Sequence, residues 1–361
     1  MKTLIRQALT KGGEGERLTR DEALALLELL SPRRLYELQC AALKNRDTRF
    51  GRRATFVSNL QINPSNICEG TCRFCRYAAK PGDADAYVMT DQEILERIAQ
   101  ARPTEVHIVG GMNREWPFER GEALVRSVRR QWPKMHIKAF TAVEIDYFAR
   151  ETGLDIAEVL RRLLDAGVDA LPGGGAELFS ARMRRTHCPS KLSPEGWVAI
   201  HRQAHGLGMT TNATMLYGLD ETGEERVEHL LTLRAAQDAS RGFSCFIPLP
   251  YQPGKSADAL DGPSPFLDLG MVALARLVLD NIDHIKAYWP MTGLETAAAA
   301  LSFGADDLDG TIGEERIAHA AGAPTPRAVT RERMTESIAA GGFEPAERDG
   351  KFNIIDGGAH D

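Results

Sequence analysis

From about residue 55 to residue 310 the chain repeatedly changes hydrophobic period, from strand-like alternation to the spacing of an amphipathic helix and back. The strand-like runs are Thr55–Asn63, Glu105–Gly110, His136–Val143, Val168–Leu171, Met209–Tyr217, Phe243–Leu249 and His284–Trp289, with Leu301–Phe303 as a weak eighth. Between them the spacing predicts helices over Asp91–Ala101, Gly121–Gln131, Ile156–Ala166, Pro194–Leu207, Gly223–Ala239 and Leu269–Asn281. Strands alternating with helices pair in parallel, and eight such units close on themselves. The expected fold is therefore α/β, a (β/α)8 TIM-type barrel, with a partial barrel as the outcome if the last strand fails. Residues 51–323 would form the barrel. Residues 1–50 read as an N-terminal helical extension, in which Thr19 and Glu22 have capping-box spacing and Ser31-Pro32 starts another helix. Residues 324–361 read as a C-terminal helical and irregular segment packed on the barrel.

Alternation within the strands says what fills such a barrel, because alternate residues point inward. Asn59, Gln61 and Asn63 share one parity against Phe56, Leu60 and Ile62. Lys138, Phe140, Ala142 and Glu144 oppose Ile137, Ala139, Thr141 and Val143, while His284, Lys286 and Tyr288 oppose Ile285, Ala287 and Trp289. His107 and Val109 oppose Val106 and Ile108. Polar residues keep to one side, and that side is assigned to the interior. Burying Lys138, Glu144, Lys286 and His107 is costly unless they pair with each other or meet a ligand. A ligand-lined channel explains them better than an apolar plug.

Three cysteines, Cys68, Cys72 and Cys75, follow the first strand in the pattern C-x3-C-x2-C. A structural zinc site normally takes four protein ligands, often as two separated pairs. Here three thiols crowd together, and no His or Cys follows for more than thirty residues. Three thiolates can hold three irons of a cubane cluster and leave the fourth open. A zinc knuckle completed by Cys188 or Cys245, and an electron-carrier cluster with a distant fourth cysteine, are the competing readings. Cys40, Cys188 and Cys245 otherwise read as ordinary buried or partly buried thiols. With only six cysteines there is no disulfide framework, which fits a reducing cytoplasm. The net charge of −6 comes without a basic block, so a nucleic-acid partner has no electrostatic support. No apolar run approaches membrane-spanning length.

The cysteine spacing, with Phe74 before the last cysteine, resembles the radical S-adenosylmethionine (SAM) superfamily. Five further runs narrow the resemblance: His107–Gly111, Lys138–Ile145, Pro172–Glu177, Asn212–Gly218 and Ser302–Thr311. Together they are similar to the aminofutalosine synthase branch, whose near relatives are dehypoxanthine futalosine cyclases and the tyrosine-handling subunit of deazaflavin (FO) synthase. The likeness runs from about residue 20 to 345. Two departures stand near strand ends, where substrate contacts are expected. Met112-Asn113 replaces a His-Pro pair usual in the relatives, and Leu219-Asp220 stands where they carry a His.

The resemblance implies a [4Fe-4S] cluster on Cys68, Cys72 and Cys75, with SAM on the open iron. It implies SAM contacts from Phe74, Gly110, Gly111, Glu144, Gly174, Glu177 and Arg184. The rival readings are core packing for Phe74, plain turns for the glycines and a salt bridge to Lys138 for Glu144. The substrate it implies is an aryl enol ether dicarboxylate, 3-[(1-carboxyvinyl)oxy]benzoate, whose vinyl carbon takes the 5′-deoxyadenosyl radical. His107, Lys138, Lys286, Asn212, Thr214 and Tyr288 are the candidates to meet its two carboxylates. An electron donor such as flavodoxin or ferredoxin would serve the cluster. Asp306, Asp307 and Asp309 are expected to order the loop of the eighth strand rather than to bind a metal ion.

Overall fold

A computed structural model describes residues 1–254 and 261–355. Among the described residues ten strands appear: β1 (Arg53–Val57), β2 (Asn59–Ile62), β3 (Glu105–Ile108), β4 (His136–Ala139), β5 (Ala170–Leu171), β6 (Thr210–Tyr217), β7 (Phe243–Pro250), β8 (His284–Ile285), β9 (Asp307–Gly310) and β10 (Glu344–Arg348). β2 to β8 form one sheet in sequence order, and β10-β1-β9 form a second. Every strand pairing in these two sheets is parallel.

The two sheets share one stave, because β1 and β2 are a single run interrupted at Ser58. The ring closes through β9. Ala287 N–H donates to Asp307 O at 2.8 Å and Asp306 N–H to Ile285 O at 3.1 Å, joining β8 to β9. Thr55 N–H donates to Asp306 O at 2.8 Å and Thr311 N–H to Val57 O at 3.0 Å, joining β9 to the first stave. This is the expected eight-membered α/β barrel. β10 occupies the edge of β1 that β3 leaves open, since β3 pairs only from Asn59 onward.

Helices cover the outside where the apolar spacing placed them, including Asp91–Ala101, Ile156–Ala166, Pro194–Gly206 and Gly223–Ser240. Thr–Glu capping boxes start three of them, at Thr90/Glu93, Thr141/Glu144 and Thr222/Glu225. The N-terminal segment folds as Lys2–Gly13, Arg20–Ala25 and Leu35–Phe50, with the Thr19/Glu22 box in place. Gly12 lets the first of these helices seat closely on Leu277 of helix Pro265–Val278, where a Cβ would come within 3.1 Å of that side chain.

The structure corrects four boundaries. Leu301–Phe303 is a short 3-10 turn, and the eighth strand is Asp307–Gly310. His284–Trp289 is strand only at its first two residues, because Trp289 opens the short helix Trp289–Thr292 and donates its indole N–H to Gly310 O at 2.7 Å. The fourth strand ends at Ala139: Phe140 turns left-handed at φ 63° and packs on Phe148, so Thr141–Ile145 begin a helix. Phe140 therefore leaves the interior parity, and Glu144 points in from a helical first turn. After residue 324 the chain forms helix Arg331–Ala340 and then β10, a strand where only helix and irregular chain were expected.

Asp-Leu-Asp-Gly is a poor strand former, and the reason it serves here is electrostatic. Asp306 pairs with Arg276 at 2.5 Å, Lys286 pairs with Asp309 at 2.8 Å, and Arg348 from β10 grips Asp307 through both oxygens. Arg276, Lys286 and Arg348 are all buried. Removing one member of such a pair strands a charge in the interior, which costs about 3–5 kcal/mol. Arg348→Ala should therefore lower the urea midpoint by that scale of stability with an unchanged slope, followed by circular dichroism. A loss under about 1 kcal/mol, the range of exposed pairs, would contradict the closure described here.

Candidate active site

The segment after β2 is pinned on several sides. Asn63 donates to Val109 O at 2.9 Å, tying the ends of β2 and β3 together. Asn66 brackets the loop, donating to Asp85 O and accepting from Tyr87 N–H. Lys80 Nζ donates to Cys68 O at 2.8 Å and Gly70 O at 3.1 Å. Arg73 N–H reaches His187 O at 2.8 Å and Thr71 N–H reaches Ser190 Oγ at 2.9 Å, fastening the loop to the segment beyond β5. Held this way, Cys68, Cys72 and Cys75 all line one cavity of about 320 Å³ at the C-terminal ends of the strands.

Burial pushes the Cys72 thiol up to about 12, so without a metal it stays protonated, and metal binding must release that proton. Gly111 lies against the first cysteine: a Cβ there would stand 2.8 Å from Cys68 Cβ and 3.0 Å from its sulfur. Cys40 is exposed, while Cys188 and Cys245 are buried and line no part of the cavity. Among the described residues no three His, Cys, Asp or Glu side chains surround a position for a single ion. Zinc completed by Cys188 or Cys245 thus gains nothing from the geometry. Three thiols that line one cavity, with Cys188 and Cys245 outside its lining, suit a cubane iron–sulfur cluster with an open iron.

The floor of the cavity carries the inward polar residues. Lys138 Nζ sits 3.0 Å from both oxygens of Glu105. Burial, the largest single influence, would raise the Glu105 carboxyl, but Lys138 together with His136, Lys286 and Arg348 outweighs it and holds the group well below the usual carboxylate range. Burial is the strongest influence against the charge of Lys286 too, and Asp309 together with Cys245 and Asp307 overcomes it, keeping the ammonium above its ordinary value. Gln61 donates to Tyr288 Oη at 2.8 Å, Thr214 Oγ1 to Gly173 O at 2.6 Å, and Ser244 Oγ to Asn212 Oδ1 at 3.1 Å. Among the described residues His107 Nε2 is buried without a protein partner. Burial, then the charge of Lys138, lowers His107 to about 4, so it is a neutral ring at neutral pH.

On the cofactor side, Phe74, Gly110, Gly111, Glu144, Gly174 and Glu177 all line the cavity. Glu144 accepts from Gly110 N–H at 2.9 Å and from Thr141 N–H and Oγ1 at 2.8 Å. It makes no pair with Lys138, which belongs to Glu105. Burial raises the Glu144 carboxyl despite those donors. Glu177 is paired with Lys191, whose ammonium lies 5.8 Å from the centre of the Phe74 ring. Arg184 is the misplaced candidate. Its buried guanidinium donates to Ala176 O at 2.8 Å and to Leu192 O, fastening two loop segments, and it does not reach the cavity. Of the two departures from the relatives' pattern, only Met112 lines the cavity. Asn113 is buried and bonded to Ser65, and Asp220 pairs with Arg182 and His187 outside it.

Sequence reasoning missed Glu105, Asp309 as the partner of Lys286, Lys191 and Arg76, all on the cavity wall. Glu105 shares the inward parity of His107 and was open to the same reasoning. Lys191 and Arg76 lie in loops, where periodicity carries no signal.

Known proteins resemble this chain in sequence and in fold. Residues 62–233 match the model of the radical SAM superfamily, and residues 240–360 match the CofH/MqnC C-terminal region. The chain is 40% identical to an aminodeoxyfutalosine synthase of Thermus thermophilus, over 95% of this chain and 93% of that one. It is 37% identical to the enzyme of the same name from Streptomyces coelicolor, over 98% and 94%. A 5-amino-6-(D-ribitylamino)uracil–L-tyrosine 4-hydroxyphenyl transferase of Methanoculleus marisnigri is 38% identical over 88% and 89%. Among solved structures, methylornithine synthase (PylB) superposes with a TM-score of 0.74 at 21% identity, covering 94% of this chain and 97% of that one, a likeness of fold.

His107 shares its depressed proton affinity with other buried imidazoles. Burial lowers His205 to about 4 and His229 to about 3, and lowers His136 and His201 as well. Unfolded, each titrates near its ordinary value of about 6.5. Between about pH 6.5 and 4 the unfolded chain therefore binds more protons, and acid favours unfolding. Asp268, raised by burial to about 6, and Glu144 act in the opposite sense but are fewer. The thermal midpoint should fall by several degrees from pH 7.5 to pH 5 in scanning calorimetry. An unchanged or higher midpoint at pH 5 would contradict these assignments.

Proposed function

Because the chain belongs to the radical SAM superfamily, in the group that carries the CofH/MqnC C-terminal region and includes the aminodeoxyfutalosine synthases, we propose that it catalyses that synthase reaction. The observation that carries the reading is the meeting of three thiols and a hydrogen-bonding floor in one cavity. In this reaction SAM is consumed. Its C5′–S bond breaks to release methionine, its adenosyl carbon becomes bonded to the vinyl carbon of 3-[(1-carboxyvinyl)oxy]benzoate, the skeleton rearranges through attack on the ring, and one carboxyl group leaves as CO2 or bicarbonate with return of the electron that opened SAM. The product is 6-amino-6-deoxyfutalosine, an intermediate of menaquinone biosynthesis.

Cys68, Cys72 and Cys75 would hold the [4Fe-4S] cluster, which supplies one electron to the sulfonium of SAM when bound. The chain's own residues then position and shield. Gly111 keeps the wall beside Cys68 free of a side chain, and Gly110 does the same beside Glu144. Glu144 Oε1, fixed by Gly110 N–H, keeps a lone pair for the amino or ribose groups of SAM. Asn212, Thr214, Tyr288 and the neutral His107 offer hydrogen bonds to the substrate from the floor. Leu216, Ile247 and Leu249 line the cavity and would exclude water from a reactive carbon centre. A small reduced electron carrier, such as flavodoxin or ferredoxin, would feed the cluster. No described helix is long and apolar enough to cross a membrane. The described cysteines are all free, which suits a reducing cytoplasm.

The hydroxyphenyl transferases at comparable identity define the second reading, in which tyrosine is the substrate. Anaerobically reconstituted protein with reductant, SAM and the enol ether should yield the adenosyl adduct without a stoichiometric amount of free 5′-deoxyadenosine. Cys68→Ala, Cys72→Ala and Cys75→Ala should each reduce the adduct to background. Turnover of tyrosine in place of the enol ether would reassign the chain to the transferases. Abundant 5′-deoxyadenosine with cyclised dehypoxanthine futalosine would reassign it to the cyclases.

A further inference from the structure

Four cationic side chains line the cavity, and three of them are already neutralised. Lys138 is held by Glu105 at 3.0 Å, Lys286 by Asp309 at 2.8 Å, and Lys191 by Glu177. The fourth, Arg76, is exposed at the cavity wall directly after Cys75 and has no ion pair and no side-chain hydrogen bond among the described residues. Five carboxyl groups share that lining: Glu105, Glu144, Glu177, Asp309 and Glu315. They match or exceed the cations, so the cavity as a whole does not attract anions.

A dianion entering such a cavity loses water on both carboxylates and needs a cation that is not already committed. SAM differs, since its single carboxylate travels with its own ammonium and sulfonium. A guanidinium suits the task better than an ammonium, because its planar fork binds both oxygens of one carboxylate. Taking the enol ether as substrate from the reading above, we infer that Arg76 anchors one carboxylate of the substrate. The lysines of the floor, expected from the sequence to meet the carboxylates, instead build a neutral, hydrogen-bonding surface beneath it. Arg76 thereby acts in specificity, favouring an anionic aryl ether over an uncharged one.

The test is equilibrium binding to anaerobically reconstituted protein without reductant, so that no turnover occurs. Calorimetry would compare wild type, Arg76→Gln and Arg76→Lys, each checked for iron content and circular dichroism, with the enol ether and separately with SAM. Arg76→Gln should weaken the enol ether by about tenfold or more, with partial recovery in Arg76→Lys and little change for SAM. Two monoacids refine the result: 2-phenoxyacrylate lacks the ring carboxylate, and 3-(vinyloxy)benzoate lacks the other. Arg76→Gln should weaken one of them and leave the other unchanged, which identifies the anchored group. Equal binding of the enol ether by wild type and Arg76→Gln would overturn the inference. So would an equal loss for both monoacids, the mark of a diffuse charge effect, or a loss confined to SAM, which would move Arg76 to the SAM carboxylate. Failure of wild type itself to bind the enol ether would remove the functional reading and this inference with it.

Discussion

Three neighbouring aspartates in the last stave can be buried only because cations from elsewhere in the chain meet them. Arg276 comes from the helix before β8, Lys286 from the end of β8, and Arg348 from the C-terminal strand. Each pairing joins segments far apart in sequence, so the ring closes as a consequence of tertiary charge pairing rather than of strand propensity. The same pairs reach the chemistry, since Lys286 and Asp309 both line the cavity. What closes the barrel also sets the charge of its floor.

A second constraint fixes the cysteines. Their loop is bonded to the ends of β2 and β3 and to the segment near His187 and Ser190. Catalytic groups in a parallel barrel gather at the C-terminal ends of the strands, where loops from several staves converge. Here the thiols, the glycines after β3 and Glu144 are held by hydrogen bonds that a bound cofactor would not need to create. Preorganisation of this kind suits a reaction in which the protein's contribution is positioning and the exclusion of solvent.

Much of this was legible in the sequence, and the failures have physical causes. Alternation located seven staves and named the inward faces, because the barrel must segregate Asn59, Gln61, His107, Lys138, Lys286 and Tyr288 from its apolar shell. It failed at Asp307–Gly310, where acidic residues hid a strand that only distant cations make possible. It also overran β4, since the left-handed Phe140 breaks the alternation at one residue and no composition signal marks that. Arg184 was chosen for its charge, but a buried guanidinium satisfied by backbone carbonyls is scaffold. Lys191 and Arg76 went unseen because loop side chains find their direction only once the loop is folded.

The proposed reaction requires one open metal position: Cys68, Cys72 and Cys75 would hold three irons and leave the fourth for SAM. Electron paramagnetic resonance of the reduced, reconstituted protein with and without SAM tests it most directly. The expected result is a [4Fe-4S] signal whose g-values shift when SAM is added, showing that SAM reaches the cluster. A reduced-cluster spectrum that SAM leaves unchanged would contradict it.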